Sequence, residues 1–386
     1  MNGTEVTGGA DEGDFDEGDF TAEHIARSRA LRQGVWPVAL AGRAAGLALV
    51  LALGLTPAGA GLVAAFGAAW AARVAGAALT LVLLPQLLSL PFGARTRAVR
   101  VRFGLVTQGW GGWALDVLRG LLISLPLVGG ALFAVYALAG ATRWWWAWAA
   151  LGAAAVTVAL SWAAPVLFEP LFNRFAPMDP GPLREALLAL AARDGVTVRD
   201  VLVADASRRT TALNAYVSGF GRTRRIVVYD TLLTTAEPRE VELVVAHELG
   251  HVVHRDVARG TALGAVGSAL GVCVLAAVVS WRPLLDLAGA DRFADPRSAW
   301  LLAAVASVGG ALAGPLGCAI SRRVEVRADR HALRLTGDPA HFIAMQRRLT
   351  VTNVAEPAPP AALHLLFGTH PTPARRIALA RAQGPA

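Results

Sequence analysis

Six stretches of this chain are apolar for long enough to cross a bilayer, at roughly residues 35–56, 60–92, 117–140, 144–168, 260–281 and 298–320. A hydrocarbon core about 30 Å thick takes ~20 helical residues, and inside it every backbone N–H and C=O must be satisfied by the chain itself. The expected fold class is therefore mainly α, a polytopic membrane protein with its polar residues gathered outside the spans. Composition agrees, at 55% hydrophobic and only 17% charged, which is too apolar for an ordinary soluble domain. Arg43 lies within the first span and Arg73 near the start of the second, so each is expected to reach the interface or face protein rather than lipid. Trp144, Trp145, Trp146 and Trp148 open the fourth span as interfacial anchors.

An even number of crossings puts both termini, the loop 94–116, the polar middle and the C-terminal segment on one side. That side carries Arg95, Arg97, Arg100, Arg102 and most other arginines, whereas the opposite loops hold little beyond Arg143, Arg282, Arg292 and Arg297. The positive-inside rule makes the richer side cytoplasmic. All 36 basic residues are arginine, and heavy Ala, Gly and Leu usage reads as GC-rich bacterial coding, so the expected location is a bacterial plasma membrane. The net charge of +8 does not point to nucleic acid, because the arginines are scattered near the ends of apolar segments and form no basic stripe interleaved with aromatics. Cys273 and Cys318 both fall in apolar runs and offer neither a disulfide framework nor a metal site.

The chain divides into five segments. Residues 1–33 contain the tandem acidic repeat DEGDFDEGDF and are expected to be a disordered tail, lacking the basic start and apolar core of a signal peptide. Residues 34–168 hold four spans, 169–259 a small α+β module, 260–320 two more spans, and 321–386 a polar helical segment. Within the module, 182–193 has helical periodicity, 198–203 reads as a strand, and NAYVSGFGRTRRIVVYD suits a hairpin turning at Gly219 and Gly221.

The chemistry is carried by VELVVAHELGHVVHRD, Val241 to Asp256. On a helix His247 and His251 leave one face a turn apart and can grip one cation, with Glu248 placed to act as base on a metal-activated water. A catalytic zinc wants a third protein ligand. His254 is turned away from the His247 and His251 face and is expected at the surface. The better partner is in SRRVEVRADRHAL, where Glu325 and Asp329 stand four apart on one helical face: Glu325 to ligate, Asp329 to orient a histidine from behind. The alternative is a solvated acidic pair balancing nearby arginines. His370, in GTHPTPARRIALA, is the candidate donor for a developing oxyanion.

HELGH, Glu325 with Asp329, LNAYVSGFGRTRRIVVYDTLL, LFNRFAPMD and HPTPARRIAL, in that assembly, resemble the type I CAAX prenyl proteases over roughly Val166 to Leu379. The resemblance implies membrane helices enclosing a chamber, capped by a zincin-type module of the gluzincin kind with one zinc ion per chain. It implies His247, His251 and Glu325 as zinc ligands, Glu248 as catalytic base and Asp329 as zinc support. It further implies that Asn214 holds the substrate backbone and that Asn214, Ala215 and Tyr216 pair with the peptide as an added strand. His370 would stabilise the oxyanion and Arg376 would bind substrate or shape the pocket. The expected substrate is a peptide or protein, C-terminal or membrane-associated. A heat-shock-type quality-control metalloprotease of the same clan is the near alternative, and a non-catalytic scaffold or channel with a structural metal the distant one.

Overall fold

The structure, a computed structural model, describes residues 19–164 and 169–383. Most of the acidic repeat, in residues 1–18, and the end of the fourth expected span, at 165–168, lie outside the described residues. The expected tail ends earlier than residue 33, because helix α1 (Ala22–Gly54) begins well inside it. Thr21 caps this helix by accepting from the His24 N–H. Its charged turns are held rather than solvated: Arg32 pairs with Glu356 at 2.6 Å, and the His24 ring donates to the Ala355 carbonyl at 3.0 Å.

A short α2 (Pro57–Ala64) precedes α3 (Trp70–Arg102), which starts and ends later than the expected 60–92. Arg95, Arg97, Arg100 and Arg102 thus lie on a helix that runs on past its apolar part, and the expected loop 94–116 contracts to 103–109. Hydropathy marks where lipid ends, whereas backbone hydrogen bonding sets where the helix ends. α1 and α3 run antiparallel and close, with Gly34 against Val99 and Gly42 against Phe92. α4 (Trp110–Ala141) and α5 (Trp145–Ala163) follow. Arg43 faces protein, its guanidinium 4.4 Å from the Phe367 ring, and Arg73 pairs with Asp295 at 3.7 Å.

The polar module begins with α6 (Glu169–Phe172), β1 (Phe175–Pro177) and α7 (Pro182–Arg193), the last with the expected bounds. It continues through β2 (Asp200–Ala204), β3 (Ala215–Ser218), β4 (Arg225–Tyr229), α8 (Asp230–Thr235) and α9 (Pro238–Val253). The sheet order is β1-β2-β4-β3, with β2 and β4 parallel and the other pairs antiparallel, so β3 is an edge strand. The hairpin turn needs glycine at 219, where φ is 90° and a Cβ would lie 2.7 Å from the Thr223 carbonyl oxygen.

α10 (Asp256–Val279) and a short α11 (Arg282–Leu287) lead to α12 (Ala299–Thr336), one 38-residue helix across the expected boundary at 320. At 1.5 Å per residue it is about 57 Å long, well beyond a ~30 Å hydrocarbon core. α13 (Pro339–Thr352), α14 (Ala361–Phe367) and α15 (Pro373–Arg381) complete the chain. Among the described residues six helices are long and apolar enough to cross a membrane: α1, α3, α4, α5, α10 and α12. One core packs the sheet, α7, α9 and α13 around Leu187, Ile226, Leu243, Leu249 and Phe342. A second joins the membrane helices around Val63, Tyr136, Trp300 and Leu301.

Candidate metal centre

α9 is buried over most of its circumference: Leu243, Val245, Ala246 and Leu249 anchor it in the module core, with Val245 and Leu249 on the side opposite the two histidines. A capping box fixes its start, with Glu240 reaching back to the Glu237 N–H at 3.0 Å. The rings of His247 and His251 then stand edge to face, their centroids 4.9 Å apart. Together with Glu248 they offer ligand atoms that all lie within 4.8 Å of one another. α12 approaches from the other side, and the Glu325 carboxylate comes to 3.2 Å from His247 Nε2 and 3.6 Å from His251 Nε2. The solvated acidic pair is excluded: Glu325 is nearly buried and Asp329 wholly so.

Both imidazoles are tethered through their other nitrogen. His247 Nδ1 meets Asp329 at 2.9 Å and His251 Nδ1 meets Asp256 at 3.0 Å. Protons at those Nδ1 atoms leave the Nε2 lone pairs turned toward the Glu325 carboxylate, acceptors facing acceptors. Glu325 Oε2 is buried without a hydrogen-bond donor, an arrangement that a cation between the groups relieves. With a proton in that place, burial pulls the His247 pKa down but the Asp329 and Glu325 carboxylates outweigh it and lift it to about 9. Two imidazole nitrogens and a carboxylate are a donor set that fits a divalent metal with one position left open. Burial also pushes the Glu248 carboxyl above its ordinary value, against the pull of His247 and His251, the direction expected of a base working near neutral pH.

A pocket of about 400 Å³ opens onto these groups, lined by Asn214, His247, Glu248, Glu325, His370 and Arg376. His370 Nε2 is 3.5 Å from Glu325 Oε2, on a side chain that remains mostly exposed. Arg376 lies behind the centre, with its Nε 2.8 Å from Asp329 and its Nη2 3.4 Å from His247 Nδ1. Asn214 is exposed in the pocket, its own carbonyl accepting from the Tyr229 N–H. Ala215 is buried in the sheet, and the Tyr216 ring lies edge-on to Tyr229. Those two residues therefore flank the pocket through their strand rather than line it. His254 differs from its expected surface position: it is half-buried with its ring 5.4 Å from that of His331, although it does point away from the centre.

Sequence reasoning missed Asp256 and its partner Arg327, whose guanidinium bonds the Asp256 carboxylate. Asp256 stood inside the motif, five positions after His251. It was hidden because Arg255, with φ 53°, breaks the helix between them and helical-face counting no longer applies.

Comparison with known proteins agrees with this architecture. Residues 178–383 match peptidase family M48, and residues 40–174 match the pattern described as CAAX prenyl protease N-terminal, five membrane helices. The chain is 29% identical to the uncharacterized metalloprotease YhfN of Bacillus subtilis, over 79% of this chain and 72% of that protein. It is 33% identical to a CAAX prenyl protease 1 homolog of Oryza sativa, over 43% of this chain but only 40% of the relative's length. The crystal structure of S. mikatae Ste24p superposes with a TM-score of 0.82 at 20% identity, covering 94% of this chain and 90% of that one, which is a likeness of fold. With a matched region spanning more than half its length and a pair of tethered histidines at its centre, the chain belongs to peptidase family M48, a metalloprotease family, as a member with several candidate membrane helices.

Proposed function

We propose that this protein is a zinc endopeptidase of a bacterial plasma membrane, with its catalytic module and both termini on the cytoplasmic side. The observation that carries the reading is the facing of the His247 and His251 Nε2 atoms toward one buried carboxylate, Glu325, while both Nδ1 atoms are held from behind. His247, His251 and Glu325 hold one zinc ion, in the manner of a gluzincin. When bound, the ion supplies positive charge that acidifies water and polarises the scissile carbonyl.

The chain's own groups do the rest. A peptide adds to the free edge of β3, Ala215 to Ser218, with Asn214 holding its backbone at the mouth of the pocket. Glu248 takes the proton of the attacking water and passes it to the leaving amine, which its raised pKa suits. His370, across the pocket, donates to the developing oxyanion. Asp329 fixes the tautomer of His247, and Arg376 shapes the pocket by holding Asp329. Resemblance to proteins named CAAX prenyl proteases makes a C-terminal or membrane-associated peptide the substrate class, whether a prenylated protein or a damaged membrane protein.

The test is paired: zinc content of detergent-purified protein and cleavage of a quenched fluorescent peptide, each for wild type and Glu248→Ala. The expected result is about one zinc per chain in both proteins, with cleavage by wild type alone. Absence of zinc after purification without chelators overturns the reading.

A further inference from the structure

A second, larger cavity of about 950 Å³ adjoins the catalytic pocket, between α1, α3 and the module, and four of its lining residues are Arg43, Arg97, Arg100 and Arg209. Arg209 is paired with Asp116 at 2.7 Å, and Asp116 also takes Arg119 at 3.4 Å. Among the described residues the other three have no carboxylate partner. Arg43 lies against the Phe367 ring, and Arg100 is exposed. Arg97 is only 7% exposed. Its guanidinium sits 4.1 Å over the Trp110 ring and donates to the Gln108 carbonyl, yet its Nε is buried with no hydrogen-bond partner. A buried cation with an unused donor is costly unless an anion completes it.

The linings of the two cavities adjoin along the chain. Arg209, Thr210 and Ala212 line the arginine cavity, Leu213 and Asn214 line the catalytic pocket, and Asn353 lines both while accepting from the Leu213 N–H at 3.2 Å. A peptide laid along β3 and past Asn214 is delivered into the arginines. Its cationic amino end would be repelled there, and its carboxylates attracted.

We infer that this cavity is a subsite for carboxylate groups on the C-terminal side of the scissile bond, so that the enzyme prefers peptides that are acidic there. The inference rests on the peptidase reading. It fixes the direction of the substrate: antiparallel to β3, with its C-terminal portion toward Arg97.

Binding tests it apart from cleavage. Full-length protein carrying Glu248→Gln, in detergent, is titrated with fluorescein-labelled decapeptides of one sequence. They carry two glutamates or two glutamines near the C-terminus, each with a free or amidated end. The expected result is about tenfold tighter binding of the carboxylate-bearing peptides, weakening with salt. Whether the glutamate or the free-end arm carries the preference identifies the source of the carboxylate. Arg97→Gln is expected to erase most of that ratio. Arg100→Gln, on an exposed residue, is expected to reduce it and decides the matter if the buried substitution fails to fold. Equal binding of acidic and neutral peptides overturns the inference, as does a ratio unchanged in the folded variants. Binding of phosphatidylglycerol micelles with no peptide preference overturns it in favour of a lipid headgroup. Cleavage of a neutral peptide by wild type, lost in Glu248→Gln, reports on the peptidase reading alone.

Discussion

The two histidines of the centre are supported by chains of the same composition, ring to aspartate to arginine, but the chains differ in depth. His247 leans on Asp329, which is wholly buried and held by Arg376 at 15% side-chain exposure. His251 leans on Asp256, whose arginine, Arg327, has 37% of its side chain exposed. The first chain joins α9, α12 and α15, which are distant in sequence. The second begins with a local pair across one turn. The same orientation of a ring is thus achieved once by the tertiary fold and once nearly by the helix break alone. The difference predicts that damage to the first chain reaches stability and metal together, whereas damage to the second reaches the metal first.

Asp329→Asn should have the largest effect. It leaves a buried arginine without its counter-charge, a change that costs about 3–5 kcal/mol, and thermal unfolding of the purified variant should occur well below wild type with metal lost. A folded variant of wild-type stability would erase the contrast. Asp256→Asn should retain the fold but weaken metal binding about 10- to 100-fold, as read by competition with a chromophoric chelator. Unfolding comparable to that of Asp329→Asn would show that the two supports are equivalent. Stripping metal with a chelator should lower the unfolding temperature of wild type by more than that of Asp256→Asn, which binds metal less tightly to begin with. Arg327→Gln should change stability by no more than about 1 kcal/mol, since a partly exposed ion pair is screened by solvent. A loss as large as that of Arg376→Gln would place Arg327 on the deep side of the comparison.

Much of this centre was legible in the sequence because both of its elements are regular helices. The four-residue spacing of His247 and His251, and of Glu325 and Asp329, fixes which side chains share a face before any packing is known. α7 showed through its periodicity, and the hairpin through Gly219. What stayed hidden lay at irregularities and at polar helix ends. Asp256 follows a left-handed residue, so no periodic rule connects it to His251. α1 begins at Ala22 because Arg32 and His24 find partners in the C-terminal segment, and a local count of hydrophobicity has no access to partners so far away in sequence. The arginine cavity was hidden for the same reason: Arg97 and Arg100 were expected in a loop, and only the extension of α3 brings them beside Arg209.

α12 runs without interruption from the membrane core at Trp300 to the far side of the metal site at Asp329. The HELGH helix belongs to one segment of the chain, and the carboxylates that face it belong to the far end of a helix long and apolar enough to cross a membrane. A fragment cut to contain the α+β module alone would carry His247, Glu248 and His251 but neither Glu325 nor Asp329. Separating the module from α12 would therefore break up the cluster rather than free it intact. In this protein the helix that anchors is also the helix that completes the cluster.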